Sequence, residues 1–147
     1  MDHLEHFDRR GRLMDDLLMQ AARLPPSTFT EPDEGGGPSL RDLFLVWLEE
    51  QRRAVHGSML GRAYTPLPLA AHGGVFDIGR AFGGFRMTLR EQLESLSRAE
   101  LARRVEFAPA SGAARSMTVS ELLAHLAEHD AKVQGLIAER LRLLGAA

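Results

Sequence analysis

Hydrophobic residues recur every three or four positions in four segments of the chain, a pattern that predicts four amphipathic helices. Their approximate ranges are 2–24, 39–60, 75–96 and 118–144. The stretches between them are rich in Pro and Gly or lack a helical period, and we expect loops there, with one short helix near 97–104 and extended chain after it. Four long helices joined by loops of this length predict a single all-α domain over residues 1–147, arranged as a four-helix bundle.

Two of the helix starts carry specific capping signals. Ser39 is followed three residues later by Asp42, which is close to a capping box. Thr118 and Glu121 form the full capping-box pattern at the start of the last helix. We therefore expect these two starts to be well defined.

Composition and charge exclude several classes of function. A formal net charge of −2 and a pI near 6.3 argue against a nucleic-acid partner, which would require a basic surface. The absence of Cys excludes disulfides, thiolate metal sites and Cys nucleophiles, and fits a cytoplasmic protein. No apolar run approaches the roughly 18–20 residues of a membrane span, so no membrane partner is expected either.

The last helix contains two histidines four residues apart, the spacing with which a helix offers two imidazoles to one metal ion. At about 100° per residue, His129 falls near the middle of the apolar stripe and His125 about 40° away at its edge. The stripe used for this assignment consists of Leu122, Leu126, Val133, Leu136 and Ile137. We expect His129 to point into the bundle and His125 to be half exposed.

The second long helix brings a carboxylate to its apolar face. Glu50 shares a line with Trp47 and Ala54, with Val46 beside it. A carboxylate there costs free energy unless it is paired, and an inward Glu and His from two helices can build a metal or acid–base site. The simpler interpretation, with His129 as a hydrogen-bonded core residue and Glu50 reaching solvent, stays open.

A serine hydrolase triad can be set aside. Ser116, Ser120, His125 and Asp130 are present, yet no nucleophile elbow surrounds either serine. His129 and Asp130 are adjacent on one helix, so their side chains should diverge.

The string 117-MTVSELLAHLAEHD-130, together with the capped opening 39-SLRDLF-44, resembles the DinB/YfiT-like superfamily. That family includes damage-inducible proteins and thiol-dependent transferases and isomerases. The resemblance covers most of the chain and implies a four-helix bundle.

The resemblance also implies a metal site, from which this sequence departs. In the family one His on the second helix and two on the last, spaced H-x3-H, hold the metal. Members often read H-x3-H-x3-H on the last helix, with the second and third as ligands. These positions fall on His125, His129 and Val133, and the helix-two ligand falls near Val46. Either a site has been rebuilt from His125, His129 and Glu50 around Zn²⁺ or Ni²⁺, or the metal has been lost.

Two functions follow from these alternatives. A DinB-like, stress-related protein with a degenerate metal site would bind a small hydrophobic ligand in an apolar cavity. We expect that cavity near Trp47, Val46, His129 and Val133. The alternative is a metal-dependent thiol transferase or hydrolase-type enzyme that uses the rebuilt His/His/Glu site.

A third hypothesis is a homodimeric interaction protein without catalysis. The second helix carries apolar residues beyond those on its core line, and such surface commonly builds a dimer. These residues are Phe44, Leu45 and Leu48. A homodimer is compatible with either of the other two functions.

Overall fold

The computed structural model describes residues 2–68, 73–109 and 112–146. It is mostly helical, at 68% helix with a small two-stranded sheet, which confirms the all-α prediction in general. The elements are α1 His3–Ala21, α2 Pro26–Thr30, α3 Leu40–Arg52, a π-helix Arg53–Met59, α4 Val75–Glu94, α5 Arg98–Ala102, β1 Arg104–Phe107, β2 Arg115–Thr118 and α6 Val119–Leu143. Among the described residues, none of the helices has the length and apolar character needed to cross a membrane.

Local hydrogen bonds account for the helix starts. The Ser39 hydroxyl accepts the Asp42 N–H at 3.0 Å, and the Asp42 carboxylate accepts the Ser39 N–H at 3.1 Å. Thr118 and Glu121 form the same reciprocal pair at the start of α6. Both capping predictions are confirmed, because a cap needs only neighbouring residues and no tertiary partner.

The four longest helices pack directly on one another. α1 lies against α4 and α6, and α3 lies against α6 and α4. Their shared core includes an edge-to-face pair between Trp47 and Phe82, with ring centroids 4.6 Å apart. On α4 the hydrophobic residues that recur at helical spacing face this core, and five of them are buried: Ile78, Phe82, Phe85, Leu89 and Leu93.

Segment 25–38, predicted as a loop, contains the short helix α2. Pro26 occupies its first turn, a position where the missing N–H has no helical partner anyway. Phe29 is buried in α2, and its ring centroid lies 6.0 Å from that of Phe44. The helix was missed because one isolated Phe in a polar segment produces no periodic signal.

The extended chain predicted after residue 104 is an antiparallel hairpin. Val105 pairs with Met117, and both are buried. The hairpin is anchored to the π-helix, since the Ser58 hydroxyl donates to the Glu106 carbonyl at 2.6 Å. Strands of four residues are too short to predict from alternation, so the pairing itself was not predicted.

The second long helix ends in a π-helical segment, in which the hydrogen bonds span five residues instead of four. Its last seven residues form the π-helix, and Gly61 follows with φ of +66°. The predicted end near Gly61 is confirmed. The π-helix, a form often found at functional sites, was not predicted and follows Glu50 by three residues.

The buried face of α6 differs from the predicted stripe. Asp130 and Gln134 are 1% and 3% exposed, whereas Leu136 is 50% exposed. The core face is therefore rotated by about 50° relative to the prediction. His129 lies at the edge of this face, so its predicted central position is wrong. The predicted stripe left out Leu123 and Leu141, which are buried on the other side of the face.

Two predictions about α3 also need correction. Val46, which we expected beside the core line, is 53% exposed. Phe44, Leu45 and Leu48 are all buried inside the chain, so the surface on which the homodimer prediction relied is absent. The homodimer itself stays a prediction, now without that support.

Candidate functional site

The three predicted site residues do come together, where α3 faces α6. The Nε2 atom of His125 lies 3.5 Å from Oε2 of Glu50, and Nε2 of His129 lies 3.9 Å from the same oxygen. The two imidazole rings are nearly parallel, with centroids 6.4 Å apart. We call Glu50, His125 and His129 the acid–imidazole cluster.

This cluster lies between the core and the solvent. The side chains of Glu50, His129 and His125 are 8%, 17% and 27% exposed, so the carboxylate is the deepest of the three. Phe107 of β1 covers one side of His125, with ring centroids 5.1 Å apart. The hairpin therefore shields the cluster on that side.

Burial favours the neutral form of His129. Desolvation is the largest cause that lowers its pKa; the negative charge of Glu50 acts in the opposite direction, and His125 and Lys132 add to the lowering. Among the described residues, Nε2 of His125 and Nδ1 of His129 are buried without a hydrogen-bond partner. Each imidazole of the cluster thus has one nitrogen that is shielded from solvent and makes no hydrogen bond within that part of the chain.

The donor types of this cluster suit a divalent metal. Two imidazole nitrogens and one carboxylate oxygen form the ligand set of several catalytic zinc sites. Ligand atoms around a tetrahedral zinc lie about 3.4 Å apart, from bonds of about 2.1 Å. The His125–Glu50 distance matches this spacing, and the His129–Glu50 distance is longer.

For metal binding, the donor atoms of the cluster must also be placed correctly relative to one another. Within residues 2–68, 73–109 and 112–146, no group of three or more His, Cys, Asp or Glu side chains is arranged to hold a metal ion. The donor set therefore fits in kind, and binding would require the side chains to move. Metal ligation by His125, His129 and Glu50 stays a prediction.

Asp130 is a buried residue that the sequence analysis set aside. Its Oδ1 accepts hydrogen bonds from Nε1 of Trp47 and from Nε2 of Gln51, the latter at 2.6 Å. Burial raises the pKa of Asp130 to about 7, although both hydrogen bonds act to lower it. Its position four residues after Leu126 and three before Val133 places it on the core face and could have revealed it.

Asp130 also sets the register between α3 and α6. Its two donors, Trp47 and Gln51, lie on either side of Glu50 along α3, and Asp130 itself follows His129. Because these hydrogen bonds hold the two helices at one relative position, they bring Glu50 opposite His129. Asp130 and its partners thus support the acid–imidazole cluster from within the core.

A groove of about 730 Å³ runs between α3 and α6 beside the cluster. Its apolar walls are Leu45, Val46, Val133 and Leu136. Glu50 and His129 line its inner side, and four further charged residues surround it, namely Asp42, Glu49, Arg53 and Lys132. Trp47, which we expected in the cavity, is only 3% exposed and does not line it.

Comparison with known proteins assigns no family. No protein-family model matches the chain, and no curated protein matches its sequence. A function is therefore inferred from the geometry of the cluster and the groove. The resemblance of two sequence motifs to the DinB/YfiT-like superfamily is used together with that geometry.

Proposed function

We propose that the chain is a DinB-like four-helix-bundle protein, stress-related and with a degenerate metal site, that binds a small, largely apolar molecule in the α3–α6 groove. Glu50 and His129 supply the polar contacts at its inner side. The observation that carries the proposal is this groove of about 730 Å³, in which the exposed apolar side chains of Val46 and Leu136 lie near two poorly solvated polar side chains. Small-molecule sites typically combine apolar walls with a few convergent polar groups.

The resemblance supports the same interpretation. Val46 and Val133, the positions that correspond to two family ligands, both line the groove. Val46 is 53% exposed and Val133 is buried, so apolar surface stands where the family would place imidazoles. A site that has lost metal ligands in this way is better suited to holding an apolar molecule.

A substitution at Val46 tests the proposal with little effect on the core. Val46→Arg places a long side chain in the groove, and about half of the Val46 surface is already exposed. We expect saturable binding of a neutral apolar dye such as Nile red by the wild type, weakened about tenfold or more in the variant. The fluorescence of the dye would report binding.

Met87→Arg is the matched control, because Met87 is an exposed apolar residue on α4 away from the groove. It should bind the dye as the wild type does. Equal affinities for Val46→Arg and the wild type, or no saturable binding by the wild type, would reject the groove as a ligand site.

The second candidate is the metal-dependent transferase or hydrolase. It is favoured by the approach of two imidazole Nε2 atoms to one oxygen of Glu50. His125, His129 and Glu50 would hold Zn²⁺ or Ni²⁺. A divalent ion there would lower the pKa of a bound water or thiol toward neutrality.

Elemental analysis of protein purified without a histidine tag separates the two candidates. The first candidate predicts substoichiometric metal and no Zn²⁺ binding at micromolar concentrations. Near one metal per chain, lost in both His125→Ala and His129→Ala, would instead establish the second candidate. Lys132→Ala is the control, since Lys132 lines the groove next to His129 and offers no ligand of the predicted set.

A further inference from the structure

The charged residues around the α3–α6 groove indicate what kind of molecule it accepts. Three are acidic, Asp42, Glu49 and Glu50, and two are basic, Arg53 and Lys132. A charge already engaged within the protein contributes little to recognition of a ligand, whereas an unpaired one near apolar surface contributes more. The partners of each charged side chain therefore decide whether the groove prefers an anionic or a cationic ligand.

The acidic side chains are engaged with other parts of the chain. Asp42 accepts the Ser39 N–H at 3.1 Å in the capping box. Glu49 accepts the Leu67 N–H at 2.8 Å and also lies 3.7 Å from Arg52. Oε2 of Glu50 faces the two imidazoles of α6.

The basic side chains differ in this respect. Within residues 2–68, 73–109 and 112–146, neither Arg53 nor Lys132 has a carboxylate within 4.0 Å. Nε of Arg53 is also buried without a hydrogen-bond partner in the same part of the chain. The Arg53 guanidinium lies over the Tyr64 ring, 4.5 Å from its centroid, which holds it in place. In that part of the chain the groove thus carries two positive side chains without a direct carboxylate partner, one of them stacked against an aromatic ring.

We infer that the groove binds a small aliphatic carboxylic acid as its carboxylate, paired with Arg53, while the chain of the ligand lies along Val46, Val133 and Leu136. Lys132 adds positive potential from the facing helix. From Arg53 to Asp42 the groove follows α3 for about 16 Å at the rise of a helix, which accommodates an extended chain of medium length. This inference rests on the proposed function, because it names the ligand class of the same groove.

Three probes with the same alkyl chain and different head groups test it: octanoate, 1-octanol and octylamine. Their affinities for the full chain would be measured by isothermal titration calorimetry at pH 7.5 and low ionic strength. We expect octanoate to bind about tenfold more tightly than 1-octanol, because it adds a charge-assisted hydrogen bond to Arg53, and octylamine to bind most weakly. Added salt should weaken octanoate binding and leave 1-octanol unchanged.

Arg53→Gln should remove most of the advantage of octanoate over 1-octanol, with Lys132 retaining the rest, and should leave the affinity for 1-octanol unchanged. Arg80→Gln is the control, because Arg80 is an exposed arginine on α4 with a side chain 79% exposed. If Arg53→Gln does not fold by circular dichroism, Lys132→Gln replaces it, with a smaller loss confined to octanoate.

The outcomes separate the inference from the proposed function. Tighter binding of octylamine would show that Glu50 selects the head group, and equal affinities would show that charge does not matter; either result overturns the inference and leaves the groove as a ligand site. Binding of none of the three probes would overturn the proposed function as well.

Discussion

The interface between α3 and α6 holds two carboxylates in contrasting environments. Asp130 is 1% exposed and accepts hydrogen bonds from Trp47 and Gln51. Glu50 lies at the edge of the same interface, where two imidazoles approach no closer than 3.5 Å. A buried polar group with well-formed partners specifies one arrangement of the helices, whereas a carboxylate that lines an open groove can also contact a ligand. One interface thus combines a structural polar contact with a candidate binding surface.

The largest expected effect comes from removing the interior carboxylate. Asp130→Ala leaves the Trp47 and Gln51 N–H groups without their acceptor and creates a small cavity, so we expect the free energy of unfolding to fall by about 3 kcal/mol. Urea denaturation followed by circular dichroism measures this. Glu50→Gln, the matched change at the edge of the interface, should lower the free energy of unfolding by less than half as much. A smaller loss for Asp130→Ala than for Glu50→Gln would show that the interior carboxylate is not the more important of the two for stability.

The pH dependence of the free energy of unfolding should also reveal the burial of the Asp130 carboxylate. The pKa of Asp130 is raised from 3.8 to about 7 in the folded protein, so the folded state retains a proton that the unfolded state releases between these values. The cost of burying the charged form is therefore absent below about pH 4, grows as the pH rises and is complete above about pH 7, with a slope of up to about 1.4 kcal/mol per pH unit.

The test compares the wild type with Asp130→Asn at each pH. The lowered pKa of His129 acts in the opposite direction, since it removes stability as the pH falls through about 6.5, and it cancels in this difference. Relative to Asp130→Asn, the wild type should gain stability between pH 8 and pH 5. A difference that is constant over this range would show that Asp130 keeps its charge when buried.

The two histidines at the edge should have smaller effects. His129→Ala should lower the free energy of unfolding by about 1 kcal/mol, and His125→Ala by less. The reason is that the His129 side chain is the less exposed of the two, at 17% against 27% for His125. Thermal and urea unfolding of both variants measure the difference. Equal losses of unfolding free energy would show that the difference in burial between His129 and His125 does not affect stability.

The smallest effect on stability is expected at the outer wall of the groove. Leu136→Gln should change the free energy of unfolding by about 0.5 kcal/mol or less, yet it should weaken dye binding. The small change is expected because Leu136 is 50% exposed. Its neighbour Ile137 is fully buried, and Ile137→Ala should cost about 2–4 kcal/mol. Similar unfolding curves for the two variants would contradict the observed rotation of α6.

The sequence indicated which residues could form a candidate site, but it did not indicate which face of α6 would be buried. Glu50, His125 and His129 lie close together, as the alternative of a rebuilt site required, although the core face of α6 is rotated relative to the predicted stripe. The contribution of Asp130 was missed, because His129 was placed near the middle of the core face and the side chain of its neighbour Asp130 was expected to diverge from it. Its partners, Trp47 and Gln51, lie on another helix, and no pattern within α6 identifies them.

Local sequence alone sets where the main helices begin and that the chain is mostly helical. The caps at Ser39 and Thr118 involve only residues three positions apart, so they form whatever surrounds them. Tertiary structure decides the rotation of α6, the burial of Phe29 and the pairing of β1 with β2, since each depends on contacts between segments distant in the chain. The groove itself belongs to this second group: its two walls come from α3 and α6, and the hydrogen bonds of Asp130 across the core hold them side by side.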